Sequence, residues 1–235
     1  LMVDGEHSSL IKTTKYDHED NKIISEYKIN LASDSQQKVN MHQSLAGMGI
    51  EHHNLNFLFD TENKKMEDHM SGLLENVSQL KLLSTIVKPE GKYPSIDYAV
   101  EFVSPKKILK TGSRYMIELS MDKLPSSILS ILDTKAVSFY PETGYLLQDK
   151  FNILLAPGCQ AEQLPKDKNL TTDAGTFSIK STIYQDNTLE IERTIVIKST
   201  AAGQIASPED INFYTIIRKS LAEKAVILCK ADIKP

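Results

Sequence analysis

The sequence predicts a mainly β protein of two sandwich-like units, each carrying helical decoration. Three observations predict it. Apolar and polar residues alternate in short runs along most of the chain, as where Tyr27, Ile29 and Leu31 stand against Glu26, Lys28 and Asn30. Turn-forming clusters punctuate those runs, among them Asp17-His18-Glu19-Asp20-Asn21, Pro89-Glu90-Gly91 and Gln185-Asp186-Asn187-Thr188. Helical periodicity is clear in two stretches, near 61–77 and near 208–221.

Composition narrows the class. A chain of 235 residues can form one large domain or two small ones without covalent staples. Hydrophobic residues at 40% and charged residues at 25% sit near the globular average, which disfavours disordered and membrane classes. The net charge of −4, with basic residues dispersed rather than striped, argues against a nucleic-acid partner. No run approaches the ~20 apolar residues of a transmembrane segment. The chain opens on Leu1 with no charged and apolar leader, which reads as a processed product or an excised fragment.

Taken in order, residues 8–46 read as strands broken by polar turns: Ile23 to Leu31 is the second run, joined in a hairpin across the Asp17–Asn21 turn to the run before it and continued by a third strand near Lys38 to Gln43. The period then changes. Asp60 or Thr61 can cap a helix in which Met66, Met70, Leu73, Leu74 and Val77 recur at three- and four-residue steps; these methionines read as core packing rather than a cofactor box. Strands return at Leu82–Val87, Tyr98–Val103 and Tyr115–Leu119, each bounded by Pro or Gly. The stretch Leu124–Leu132, broken by Pro125, fits neither period, and Phe139–Gly144 reads as a junction. A boundary near residue 148 therefore divides the chain into 1–148, β-rich with the helix at 61–77, and 149–235, a small sandwich-like unit with the helix at 208–221.

The second unit is the better defined. Phe151, Ile153 and Leu155 alternate up to the Pro157-Gly158 stop. Phe177, Ile179 and Ile183 share one parity, as do Leu189, Ile191, Ile195 and Ile197 across the following turn, which gives a hairpin with one buried face. Arg193 falls on that inward parity, where it calls for a strand end, a bulge or a partner carboxylate. Ser207-Pro208-Glu209-Asp210 is a helix start: a capping hydroxyl, a proline suited to the first turn and two acids at the positive end of the dipole. Ile211, Tyr214, Ile217 and Leu221 form the expected apolar stripe, and Ala225–Cys229 a last strand.

These residues carry a resemblance. The stretch Lys150–Lys230 resembles the C-terminal domain of unknown function that follows the catalytic core in bacterial transglutaminase-like proteins. The matching features are the strand ending in Pro157-Gly158, Leu164-Pro165-Lys166, the Gly175-Thr176-Phe177 strand entry, Ile191-Glu192-Arg193 and the Pro208-Glu209-Asp210 helix start. Residues 1 to about 148 are more weakly similar to the region between that core and the C-terminal domain, with Val3–His7 as the tail of the core. The resemblance implies a non-catalytic accessory or interaction region of an exported bacterial protein, working outside the cytoplasm in the periplasm or at the cell surface. Its implied partners are the catalytic transglutaminase-like core in the same polypeptide or a cell-envelope protein. A free-standing adhesin or glycan-binding module is the alternative. The family often has an aromatic residue where this chain has Cys159.

Chemistry-bearing patterns are sparse. A thiol enzyme needs a Cys nucleophile beside a His, with Asp or Asn to orient it. All six histidines lie within the first 69 residues, both cysteines lie beyond residue 158, and neither cysteine opens a helix. The family's nucleophile helix and following His strand have no counterpart, so no catalytic residue is assigned. Cys229 reads as a small buried hydrophobe and Cys159 as a turn residue; the sequence leaves open whether they pair. Glu51-His52-His53, with Asp60 and His69, supplies metal-ligand types without ligand spacing and reads as a solvated pair, so no metal or cofactor is expected. Gly47-Met48-Gly49 lacks the rest of a phosphate loop and reads as a turn.

Overall fold

The computed structural model describes residues 2–4, 7–9, 17–31, 37–52, 55, 68, 77–88, 93–104, 109–112, 114–119, 143–155, 159–185, 187–199, 207–222 and 225–231. Its strands are β1 (Met2–Asp4), β2 (His7–Ser9), β3 (Lys22–Leu31), β4 (Gln37–Ala46), β5 (Ser78–Lys88), β6 (Ser95–Ser104), β7 (Leu109–Thr111), β8 (Arg114–Leu119), β9 (Tyr145–Leu154), β10 (Cys159–Gln163), β11 (Lys168–Thr172), β12 (Gly175–Ile183), β13 (Thr188–Ile197) and β14 (Ala225–Ala231). A short helix α1 (Met48–His52) follows β4, and α2 (Pro208–Ala222) precedes β14. The protein is mainly β, as its alternating pattern requires. The helix expected over 61–77, apart from Asp68 and Val77, and the stretch 124–132 lie outside the described residues.

Eight strands form one sheet in the order β11-β12-β13-β9-β3-β4-β6-β5. Every neighbouring pair in it is antiparallel except the central one, where β3 and β9 run parallel with Lys22 opposite Leu146 and Asn30 opposite Leu154. A second sheet has the order β10-β14-β8-β7, and β1 and β2 form a hairpin. The division into 1–148 and 149–235 is therefore corrected: residue 148 lies inside β9, and strands from both sides of it build the same sheet. A parallel pairing needs a long crossover and leaves no hairpin signal at either strand, so alternation alone cannot reveal it.

One face of the large sheet is buried. Ile23, Tyr27, Ile29 and Leu31 of β3 point inward with Val39, Met41 and Leu45 of β4, Ile96, Tyr98, Val100 and Phe102 of β6, and Tyr145, Leu147, Phe151 and Ile153 of β9. They share one continuous core with Leu119, Cys159 and Ile227 of the smaller sheet and with Phe213, Tyr214 and Ile217 of α2. Tyr27 and Phe151, opposite each other across the parallel seam, stack with centroids 4.6 Å apart and rings 7° from coplanar.

The expected helix start is present and does more than cap. Asp210 donates its amide to Ser207 Oγ at 3.2 Å, and the Ser207 hydroxyl donates to Asp210 Oδ2. Asp210 is 2% exposed, and its Oδ1 accepts the Ala174 amide at 3.1 Å, tying α2 to the turn between β11 and β12. Of the stripe positions whose side chains are described, Tyr214 and Ile217 are buried, with Phe213 beside them, whereas Ile211, next to inward-facing Asp210, is 41% exposed.

Turns lace the sheet's margins. Asn21, wholly buried, donates Nδ2 to Gly144 O at 3.1 Å and accepts the Met48 amide on Oδ1 at 3.0 Å, so it joins the heads of β3 and β9 to α1. Of the Gly47-Met48-Gly49 stretch expected to serve a turn, Gly47 does so with a left-handed φ of +56°, while Met48 and Gly49 belong to α1. The Leu164-Pro165-Lys166 motif also has a structural task. Pro165 O accepts the Ser181 hydroxyl at 3.0 Å and Asp167 Oδ1 accepts the Ser181 amide at 2.9 Å, covering β12 where β11 has already ended.

Candidate functional site

Polar residues interrupt the buried face along a single line. Strand register sets Arg193 (β13) opposite Asp149 (β9), Asp149 opposite Ser25 (β3), Ser25 opposite Gln43 (β4), Gln43 opposite Tyr98 (β6) and Tyr98 opposite Thr85 (β5). Arg193, Asp149, Ser25, Gln43 and Tyr98 are each at most 1% exposed. Arg193 donates from Nε at 2.8 Å, and from a terminal guanidinium nitrogen, to Asp149 Oδ2. Gln43 donates Nε2 to Ser25 Oγ at 2.7 Å, and the Tyr98 hydroxyl donates to Gln43 Oε1. Of the three readings open to inward-facing Arg193, strand end, bulge or partner carboxylate, the structure has the carboxylate, Asp149. Asp149, Ser25 and Gln43 escaped the sequence reading, although each interrupts an apolar parity: Leu147-Asp149-Phe151, Ile23-Ser25-Tyr27 and Met41-Gln43-Leu45.

This row is well formed for holding strands and poorly formed for reaching a substrate. A sealed charge pair exchanges hydration for mutual attraction and hydrogen bonds, and its geometry becomes costly to disturb.

The residues weighed for catalysis lie apart in the fold. Cys159 is 4% exposed on β10 of the smaller sheet. Register places Cys159 opposite Ala231 and Cys229 opposite Ala161, so the cysteines are diagonal neighbours rather than a directly opposed pair. His42 is exposed on β4, on the outer face of the large sheet. His18 lies in the turn before β3, its Nδ1 2.8 Å from Asp17 Oδ1. That carboxylate also accepts the His18 amide at 2.7 Å and the Ser199 amide at 3.4 Å. Partial burial pushes the Asp17 carboxyl upward, but the His18 side-chain and backbone hydrogen bonds, with that of Ser199 and the His18 charge, outweigh it and hold it below its ordinary value. His52 ends α1, while His53, Asp60 and His69 lie outside the described residues. Among the described residues no three His, Cys, Asp or Glu side chains gather as metal ligands.

The outer face of the large sheet is polar where its central strands meet. Across β13, β9 and β3 it carries Gln148 donating to Glu192 Oε1 at 2.8 Å, Asn152 donating to Glu26 Oε1 at 3.3 Å, and Lys150 Nζ 3.0 Å from Glu190 Oε2. The hydrogen bond to Glu190, and then its charge, hold the Lys150 ammonium above its ordinary value. Glu190 Oε1 also accepts the Tyr184 hydroxyl at 3.4 Å. Tyr184, 47% exposed, and Leu154, 45% exposed, lie at the same end of this face, where Leu154 stands opposite Thr188. Among the described residues no helix is long and apolar enough to cross a membrane.

The sequence matches no protein-family model, and no curated protein matches it significantly.

Proposed function

We propose that the chain is a non-catalytic accessory or interaction region of an exported bacterial transglutaminase-like protein, acting in the periplasm or at the cell surface. It positions a catalytic core or contacts a cell-envelope partner through the outer face of its large sheet. One observation carries this reading: the residues behind the resemblance have structural tasks. Pro165 and the neighbouring Asp167 shield β12, Asp210 docks α2 on the Ala174 turn, and Arg193 pairs with Asp149 in the core. Signals of that kind belong to a scaffold that presents a surface.

The test uses the chain alone and joined to a Cys-His-Asp core encoded in the same reading frame. The expected result is no amide hydrolysis or crosslinking by the chain alone, and a change in the core's activity or stability when the chain is attached. Activity in the isolated chain that disappears on Cys159→Ala would overturn the reading.

Glycan binding is the second reading, favoured by exposed Tyr184 beside Glu190 and Asn152 on a polar sheet face. A glycan-array signal abolished by Tyr184→Ala supports it, and an array without signal removes it.

A further inference from the structure

We propose that the buried row of Arg193, Asp149, Ser25, Gln43 and Tyr98 is a register lock for the parallel seam that joins the two halves of the large sheet. The seam has no turn of its own to fix alignment, because β3 and β9 are not consecutive in the chain. A slip of one residue is already forbidden, since it would turn every apolar residue of β3 outward. A slip of two preserves the faces. Apart from Ser25 and Asp149, the inward positions on either side of the seam are apolar: Ile23, Tyr27, Ile29 and Leu31 on β3, and Tyr145, Leu147, Phe151 and Ile153 on β9. Apolar burial alone therefore discriminates weakly between the observed register and those two residues away.

The polar positions discriminate strongly. Sliding β3 by two residues sets Ser25 against Leu147 or Phe151, and Asp149 against Ile23 or Tyr27. The row then splits at the seam into an Arg193–Asp149 piece and a Ser25–Gln43–Tyr98 piece, each ending against hydrocarbon. Each piece keeps its internal hydrogen bonds, but a buried polar side chain set against hydrocarbon rather than against another polar group is costly, so the slipped registers are disfavoured by the row rather than by the core. A buried pair of this type adds little net stability over a well-packed apolar replacement, which fits a role in specificity.

The test reads register directly. In a chain with Cys159→Ala and Cys229→Ala, Lys28→Cys is combined in turn with Asn152→Cys, Lys150→Cys or Leu154→Cys. Lys28 stands opposite Asn152, and the other two positions are two residues out of register on the same face. A pair offset by two residues has Cα atoms about 8 Å apart, beyond the span of a disulfide. With the row intact, the 28/152 pair is expected to oxidise at least about tenfold faster than either offset pair. In Asp149→Leu/Arg193→Met the chain is expected to keep its melting temperature while all three pairs oxidise at comparable rates.

A folded double variant that retains the preference overturns the proposal. Should that variant fail to fold, Ser25→Val/Gln43→Met/Tyr98→Phe opens the other half of the row without stranding a charge, and retained preference there overturns it equally. Asn21→Ala serves as the control for the clamp at the strand heads. It is expected to keep the preference; loss of preference in that variant alone would place the lock at the strand ends and refute the proposal.

Discussion

Asn21 and Gly144 are 123 positions apart in sequence, yet the Asn21 side chain donates to Gly144 O at 3.1 Å at the head of the parallel seam. Gly144 is held so closely that a Cβ there would lie 2.5 Å from both Asp17 Oδ1 and the His18 amide nitrogen. Gly144→Ala is therefore expected to destabilise the chain by about 1–3 kcal/mol through overpacking. Urea denaturation, read as a lower midpoint with an unchanged slope, checks it.

Asp149→Ala leaves the Arg193 guanidinium buried without its carboxylate. Breaking one side of a buried pair costs about 3–5 kcal/mol, a large fraction of the stability of an ordinary domain. Loss of soluble protein or of the cooperative transition is the expected outcome. Wild-type stability in this variant would show that the guanidinium reaches solvent.

The helix start supports a graded pair of variants. Ser207→Ala removes one cap and is expected to cost about 1 kcal/mol. Asp210→Ala should cost more, about 2 kcal/mol, because it removes the partner of the Ser207 hydroxyl and an acceptor of the Ala174 amide. Equal effects in thermal denaturation would show that docking to the hairpin turn contributes nothing.

The two faces of α2 separate in the same way. Ile217→Ala, at a fully buried position, is expected to lose about 2–5 kcal/mol. Ile211→Ser, at an exposed one, should stay within about 0.5 kcal/mol of the parent.

Asp17 sets an acid limb. Its folded carboxyl lies below the ordinary value of 3.8, so its contribution is complete above that pH and fades as pH falls through the folded value. Its side chain is 51% exposed, and solvent screening keeps the effect small. Asp17→Asn should flatten the stability profile below pH 3.8 while leaving its shape near neutrality unchanged. An identical acid limb in both proteins would exclude the Asp17 contacts as its source.

Local features were legible in the sequence and distant pairings were not. The β12–β13 hairpin, the Ser207 cap and the inward Arg193 each follow from a few adjacent residues, whose parity or hydrogen-bonding chemistry admits one solution. The single eight-stranded sheet was hidden because strand alternation says which side chains face inward and nothing about which edge a strand joins. The polar row was half visible. Asp149, Ser25 and Gln43 each look like an isolated fault in an apolar pattern, and only register shows that the faults align. The face that α2 turns inward is marked by a contact between different elements, Asp210 meeting Ala174, with the next position, Ile211, left exposed.

The parallel seam has a consequence for synthesis on the ribosome. Strands β3, β4, β5 and β6 emerge before β9 and can assemble as half a sheet, leaving one flank of β3 without its neighbour until β9 has left the tunnel. During that interval the flank can accept the β9 of another nascent chain as readily as its own. Crowded expression therefore favours strand-exchanged dimers, and so does any pause in translation before β9 emerges.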